Sequence, residues 1–457
     1  MSPPTYVFGP TFTEMRDPQQ IDAKTRERAQ AARTDRPLDP VNLFNLTWKP
    51  DGRNVSHVVL PKALTGVDAP IAVMSGRHFP TGSHKVGPAY SCLVEKQLLG
   101  QMQPGAHTAV WPSTGNYGIG GAWVGPRMGY RSLVVLPEGM SAERFERIKG
   151  YGAEVVATPG TESNVKEIFD KVHELRRDAN NRVLEQFSEF GNYRFHYEVT
   201  GNAAAELAAA LGYSRVAAFI SAMGSAGTIA AGDRLKQLHD TRIVGLEPVQ
   251  CPTLYNVGFG SHAIEGIGDK HVTWIHNVLN MDALICIDDQ DCLEGLQVIN
   301  EGAELLEAEG VKEARALSAL FGISGVCNVL GAIKTARHYA FGPKDLVVTM
   351  ATDSFDRYPS VMRRLTQEKG PQTRDVALRR LERIFRGTRS DYVLDGTRDV
   401  RRRWHHQKYF TWVEQQGKTV DQLRAQESPE LWIGEQKQVA ELDHKIRTSR
   451  NSGFNVS

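Results

Sequence analysis

An excess of charge of either sign is the first thing the chain lacks. Its 54 Lys and Arg meet 53 Asp and Glu, leaving a net charge of +1. That balance excludes a general nucleic-acid binder or a membrane-surface protein, which work through a large positive excess. Cysteine is scarce and unpaired: Cys92, Cys251, Cys286, Cys292 and Cys327 are odd in number, and none stands in CxxC. This excludes a disulfide framework and gives no metal-binding spacing. The thiols are expected to be reduced and mostly buried, in a cytoplasmic protein. No apolar run is long enough to span a bilayer. The opening MSPPTYVFGPTFTEMRD has no basic stretch leading into an apolar one, so no signal peptide is expected. Internal repeats and low-complexity tracts are missing. So are two nucleotide-binding signatures. For GxGxxG, Gly118 and Gly120 would need a glycine where Trp123 stands, and no GK[ST] follows a glycine run.

What is present is a large apolar complement. Of 457 residues 41% are hydrophobic, enough for more than one domain. Residues 15–36 are polar and charge-mixed, which predicts an N-terminal arm or surface helix outside the core. From about residue 70, short β-branched runs alternate with helical stretches: 107–111, 132–136, 154–157, 216–221, 242–247 and 346–350. Apolar strands spaced by helices predict an α/β fold of βαβ units, with parallel sheets covered on both faces. The helix after Lys85 is expected to carry Pro88 early and to bury Ala89, Cys92, Leu99 and Met102 on one face. Beyond Tyr358 the texture turns Arg-, Gln- and Glu-rich. One helix there is marked by Ala377, Leu381, Ile384 and Phe385 and stopped by Gly387. In the same region RRRWHHQKY at 401–409 reads as a solvated helix face or dimer-packing arm, with a basic patch or His-His metal site as the alternatives. The division is therefore residues 1–50 as an arm, 51–360 as the core with a smaller unit inserted at about 88–190, and 361–457 as a helical extension.

Three loops rich in glycine and hydroxyl residues follow apolar runs: PTGSHKVG at 80–87, PSTGNYGIGG at 112–121 and SAMGSAGTIAAG at 221–232. In the third, Gly224, Ser225, Ala226, Gly227 and Thr228 open a helix, where small residues and free N–H groups suit a phosphate. Lys85 in the first loop is a cramped place for an ordinary surface lysine.

In this order the loops resemble those of fold-type II pyridoxal-phosphate (PLP) enzymes, the tryptophan synthase β-subunit superfamily. They are most similar to cysteine synthase and cystathionine β-synthase. TGSHK resembles the Schiff-base lysine motif, STGNYGI the asparagine loop and GSAGT the phosphate loop. QFSEFGNYRFHYEVTG (186–201), GSHAIEGIG (260–268), GIS (322–324) and TDSFDRY (352–358) resemble later segments, so the likeness runs over about residues 50–360. It implies two parallel αβα sheet domains with PLP in the cleft between them. Lys85 would hold the cofactor as an internal aldimine and later move the substrate Cα proton. Asn116 would contact the ring oxygen, and His84 would help hold the phosphate, as in tryptophan synthase β. Ser113, Thr114, Gly115 and Gln186 would take the substrate carboxylate, and Tyr117 would narrow the substrate space. For the pyridine nitrogen, Ser354 is favoured by one alignment and Thr352 by another, with Asp353 between them also open.

The resemblance implies β-replacement: serine, an O-activated serine or cysteine passes through an aminoacrylate to which a thiol or sulfide adds. Two alternatives stand beside it. One is a β-elimination lyase, deaminase or desulfhydrase, and the other is a non-catalytic PLP-binding scaffold. The expected partners are a small amino acid and a second copy of the chain, in a homodimer.

Overall fold

A computed structural model describes residues 6–113, 115–160 and 164–453. Eleven strands among them form two sheets: β1 (His57–Leu60), β2 (Ile71–Ser75), β3 (Thr108–Pro112), β4 (Arg131–Pro137), β5 (Glu154–Thr158), β6 (Asn181–Val183), β7 (Val216–Ala222), β8 (Arg242–Pro248), β9 (Ala283–Ile287), β10 (Leu346–Ala351) and β11 (Val393–Asp395). The larger sheet runs β1-β2-β10-β7-β8-β9-β11, parallel except for its edges. The smaller runs β5-β4-β3-β6, all parallel. IAVMS, ALICI and LVVTMA are buried along their whole length. Helices cover both faces of a parallel sheet, so its inner strands read as unbroken apolar runs. The α/β class and the six strands expected from the sequence are all present.

The helix Val86–Leu98 follows Lys85, with Pro88 in its first turn, where a missing N–H costs little. It ends one residue before Leu99, which is 61% exposed. The expected stripe is corrected there, because that residue has already left the helical phase. The Ala377 stripe holds. The helix Arg374–Arg380 runs on as a wider turn over Leu381–Arg386, and all four stripe residues are buried.

The segments outside the sheets are more than appendages. Phe8, Phe12, Met15, Leu43, Leu46 and Trp48 join the same apolar cluster as Tyr90, Trp111 and Trp123, so Met15 is core, contrary to the surface reading of 15–36. The C-terminal part is not purely helical, since β11 pairs antiparallel with β9 and closes one edge of the larger sheet. In RRRWHHQKY, Trp404, His405 and Lys408 are buried. The Lys408 ammonium is satisfied by the carbonyls of Trp274 and His276 and by Gln426 Oε1. That replaces the solvated-face reading, and no His/Cys/Asp/Glu group among the described residues is arranged for a metal. No helix among them is long and apolar enough to cross a membrane.

The long helix Pro429–Gly453 clasps the N-terminal segment. Asp443 accepts from Phe12 N (2.7 Å), Thr13 N (3.1 Å) and Thr13 Oγ1 (2.5 Å). Arg450 forks onto Glu14, and Arg194 bridges Glu95 to Glu435. Asp443→Ala strips three donors of their acceptor and should cost roughly 1–3 kcal/mol. In urea unfolding this appears as a lower midpoint with an unchanged slope. An unchanged midpoint would show that the clasp contributes nothing.

Candidate active site

Parallel strands end on a common edge, and ligands of open α/β sheets bind outside those carboxyl ends. The Lys85 loop follows β2, the asparagine loop follows β3, the phosphate loop follows β7, and the TDSFDRY segment follows β10. The structure brings these four together.

Lys85 opens the helix Val86–Leu98, and its Nζ lies 3.3 Å from Ser225 Oγ, 140 residues away in sequence. The same hydroxyl accepts from Asn192 Nδ2 (3.0 Å), and Ser225 O accepts from Thr273 Oγ1 (2.9 Å). Asn192 in turn donates to Gln186 O (2.9 Å), which places buried Gln186 beside the loop. Ala226 takes a left-handed φ of 56°. Gly227 is required by contact, because a Cβ there would sit 2.0 Å from Asn192 Oδ1. The carbonyls of Gly227 and Thr228 accept from Ala230 N and Ala231 N. The loop's own amides therefore lie at the open start of the helix Ala230–His239. Gly224 is packed under Gly266 O and Ile267. His84 Nε2 meets Thr228 Oγ1 at 3.3 Å, its ring between Trp48 and His196. Burial, then the Lys85 charge, holds the His84 pKa well below the usual histidine range, so the ring is neutral.

On the facing side, Ser113 Oγ accepts from Gly115 N (3.0 Å) and Gly118 N (2.9 Å), capping the helix Asn116–Arg127. A hydroxyl that accepts twice still has its proton to donate. Thr114 lies outside the described residues. Gly115 faces Arg144 so closely that a Cβ would fall 2.0 Å from Nη1. Asn116 Nδ2 donates to Asp353 Oδ2 at 2.6 Å, while Asn116 Oδ1 is buried with no partner among the described residues.

Two expected residues are not brought in. Tyr117 is one helical step, about 100°, round from Asn116. Its ring packs against Trp111 in the core, beside the Cys92 thiol, rather than narrowing the substrate space. Ser354 turns outward and donates to Asp356 (2.9 Å). In extended chain, neighbouring side chains point to opposite sides, so Asp353 is the residue of TDSF that turns in, fully buried. Thr352 is half-buried beside it, with its carbonyl against Gly76.

Sequence reasoning missed the groups that hold this side together. Tyr358 OH accepts from Arg144 Nη2 (3.1 Å) and donates to Asp353 Oδ2 (2.8 Å). Arg144 Nε pairs with Glu265 at 2.7 Å, and Arg357 Nε lies 3.8 Å from Asp353. Arg147 and Arg357 both donate to Thr81 O in the Lys85 loop. No spacing marks Arg144, because its partners lie 121 and 214 residues away. Asn192, Glu265, Arg357 and Tyr358 lie inside the quoted motifs, which do not mark their roles.

An amine, a small-residue helix start with two hydroxyls, and a buried amide oxygen lacking a partner fit a phosphorylated aldehyde such as PLP. Lys85 would take its carbonyl carbon, Ser225 to Thr228 its phosphate and Asn116 a polar ring substituent.

The comparisons agree. The model of the family "Pyridoxal-phosphate dependent enzyme" matches residues 61–353. A probable cysteine synthase of Bacillus subtilis is 32% identical over 284 residues, 62% of this chain and 85% of that protein. A cysteine synthase of Staphylococcus aureus is 30% identical over 283 residues, 62% and 84% of the two chains. Among solved structures, cysteine synthase from Entamoeba histolytica superposes with a TM-score of 0.60 at 22% identity, covering 73% of this chain and 93% of that one. The O-acetylserine dependent cystathionine beta-synthase from Helicobacter pylori gives 0.57 at 23%, covering 68% and 96%. These two show the shared fold. With its lysine, asparagine and phosphate loops gathered on one cleft, the chain belongs to the pyridoxal-phosphate dependent enzymes of fold type II.

Proposed function

We propose that the chain is a cysteine synthase-like enzyme of β-replacement, acting on serine, an O-activated serine or cysteine, with a thiol or sulfide as the incoming group. The single observation that carries this is the meeting of Lys85 Nζ with the phosphate loop at Ser225. One amine in that position would serve both cofactor and substrate. Bound PLP supplies the sink for the electron pair left at Cα. The chain's own groups do the rest. The half-buried Lys85 amine takes the Cα proton and returns it. His84 contributes no charge to the phosphate and instead fixes the Thr228 hydroxyl. Ser113, Gly115 and Gln186 orient the substrate carboxylate, with Thr114 beside them in sequence. Asp353, not Ser354, is the TDSF residue offered to the cofactor side, through Asn116. The reading takes 51–360 as the catalytic core and a cytoplasmic homodimer as the working form.

Wild-type protein mixed with PLP should gain a visible absorption band that Lys85→Ala lacks. Lys85→Ala should lower turnover by roughly 10²–10⁴-fold, the range of a lost general base. Product analysis with and without an acceptor (sulfide for serine and O-acetylserine, an alkyl thiol for cysteine) should give a new β-substituted amino acid only when the acceptor is present. Keto acid and ammonia in both cases would replace this reading with elimination.

Gly227→Ala drives a methyl into Asn192 and should weaken PLP binding about tenfold or more, equivalent to about 1.4 kcal/mol. Equilibrium titration of the cofactor-free variant measures this. Wild-type affinity would remove the loop from the phosphate.

A further inference from the structure

Asp269 directly follows the GSHAIEGIG segment and has no part in the chemistry derived so far. It is buried, and its Oδ1 finds no hydrogen-bond partner among the described residues. Gly268 N donates to Met223 O at 2.8 Å, which docks the segment onto the end of β7 where the phosphate loop begins. Asp269 Oδ2 lies 3.6 Å from the point where a Gly224 Cβ would stand. The carboxyl is thus held on the same loop that Lys85 reaches through Ser225. It lies within reach of the Lys85 charge, the one stabilising influence on its anion. A polar group this buried and lacking a partner is costly unless a ligand or a function satisfies it.

Lys270 follows it in the chain, and the histidines around it carry no positive charge at neutral pH. His271 and His276 are pushed down to about 4 and about 3 by burial, and burial also holds His262 low. Burial raises the Cys251 thiol and pushes Glu247 up to about 7. Burial likewise pushes Asp269 itself up to about 7, against the pull of Lys85. A carboxyl titrating there is matched to proton transfer near neutral pH.

We propose that Asp269 is the second acid–base group of this site, giving a proton to the group that leaves Cβ and taking one from the nucleophile that replaces it. The proposal rests on the β-replacement reading above. In the forward half, the Lys85 amine takes the Cα proton. The C–H pair becomes the Cα–Cβ double bond, and the Cβ–X pair leaves with X. X then receives the proton of the Asp269 carboxyl, leaving a carboxylate. In the return half, H–Nu gives its proton to that carboxylate as the nucleophile's lone pair bonds to Cβ, and the Lys85 ammonium returns its proton to Cα. No external oxidant or reductant is needed.

The division of labour predicts a leaving-group dependence. Hydroxide and thiolate need a proton to depart, whereas acetate leaves without one. In full-length holoenzyme, single-turnover release from serine or cysteine should slow by roughly 10²-fold or more in Asp269→Asn, while release from O-acetylserine slows by less than about tenfold. Asp269→Glu should recover part of the loss. Because the acid form is the active one, the wild-type serine or cysteine rate should fall as pH rises through about 7, and Asp269→Asn should lose that limb. A readout independent of turnover is the pH dependence of Lys85 acylation in full-length protein freed of cofactor. Removing the carboxylate should lower the apparent pKa of the amine.

Equal slowing of all substrates, no slowing, or an unmoved Lys85 profile would each overturn the proposal. So would a wild type that accepts O-acetylserine and refuses both serine and cysteine. A wild type inert to all three would overturn the β-replacement reading and this proposal with it. An active wild type whose Asp269→Asn variant keeps the substrate ratio would overturn this proposal alone.

Discussion

Charge removed from water has to be answered in place, and one such cluster governs how the two sheets meet. Arg144, Asp353 and Arg357 are fully buried side chains, and each comes from outside the strands. Arg144 lies in the helix Ala142–Gly150 of the smaller sheet, whereas Asp353 and Arg357 follow the last parallel strand of the larger. Removing one partner of such a group leaves an uncompensated buried charge, at a cost of about 3–5 kcal/mol. The arrangement therefore tolerates few relative positions of the sheets. Glu265, Tyr358 and Asn116 add hydrogen bonds to this cluster and fix the cleft between the lysine and asparagine loops.

The fold was legible where physical chemistry is local. VAAFIS, RIVGLE and LVVTM announce buried parallel strands because helices on both faces leave no polar side. β11 was not legible, since its three residues are partly exposed and form a strand only because β9 offers an unpaired edge. Leu99 looked like core by periodicity, but the helix stops before periodicity applies to it. The polar stretch 15–36 hid Met15 in the core, because its burial is decided by an apolar cluster gathered from distant parts of the chain.

In the site, the lysine, the asparagine and the phosphate loop could be read because glycine, hydroxyl and amine fall at short fixed spacing. Direction could not be read. Tyr117 and Ser354 sit inside the motifs yet turn away, because helical phase and strand alternation set where a side chain points. Arg144 and Glu265 form a pair only in three dimensions: no local pattern marks Arg144, and Glu265 lies in a quoted motif that does not point to its partner.

The clasp between the first and last helices bears on how the protein is made. Phe12 N and Asp443 are 431 residues apart in the chain. During synthesis the Phe12 and Thr13 amides therefore wait for their carboxylate acceptor until the helix Pro429–Gly453 has been translated. Contacts of this separation form late and leave apolar surface exposed in the meantime. The clasp is thus a contact that closes only after the intervening chain has been made, which places it late in folding.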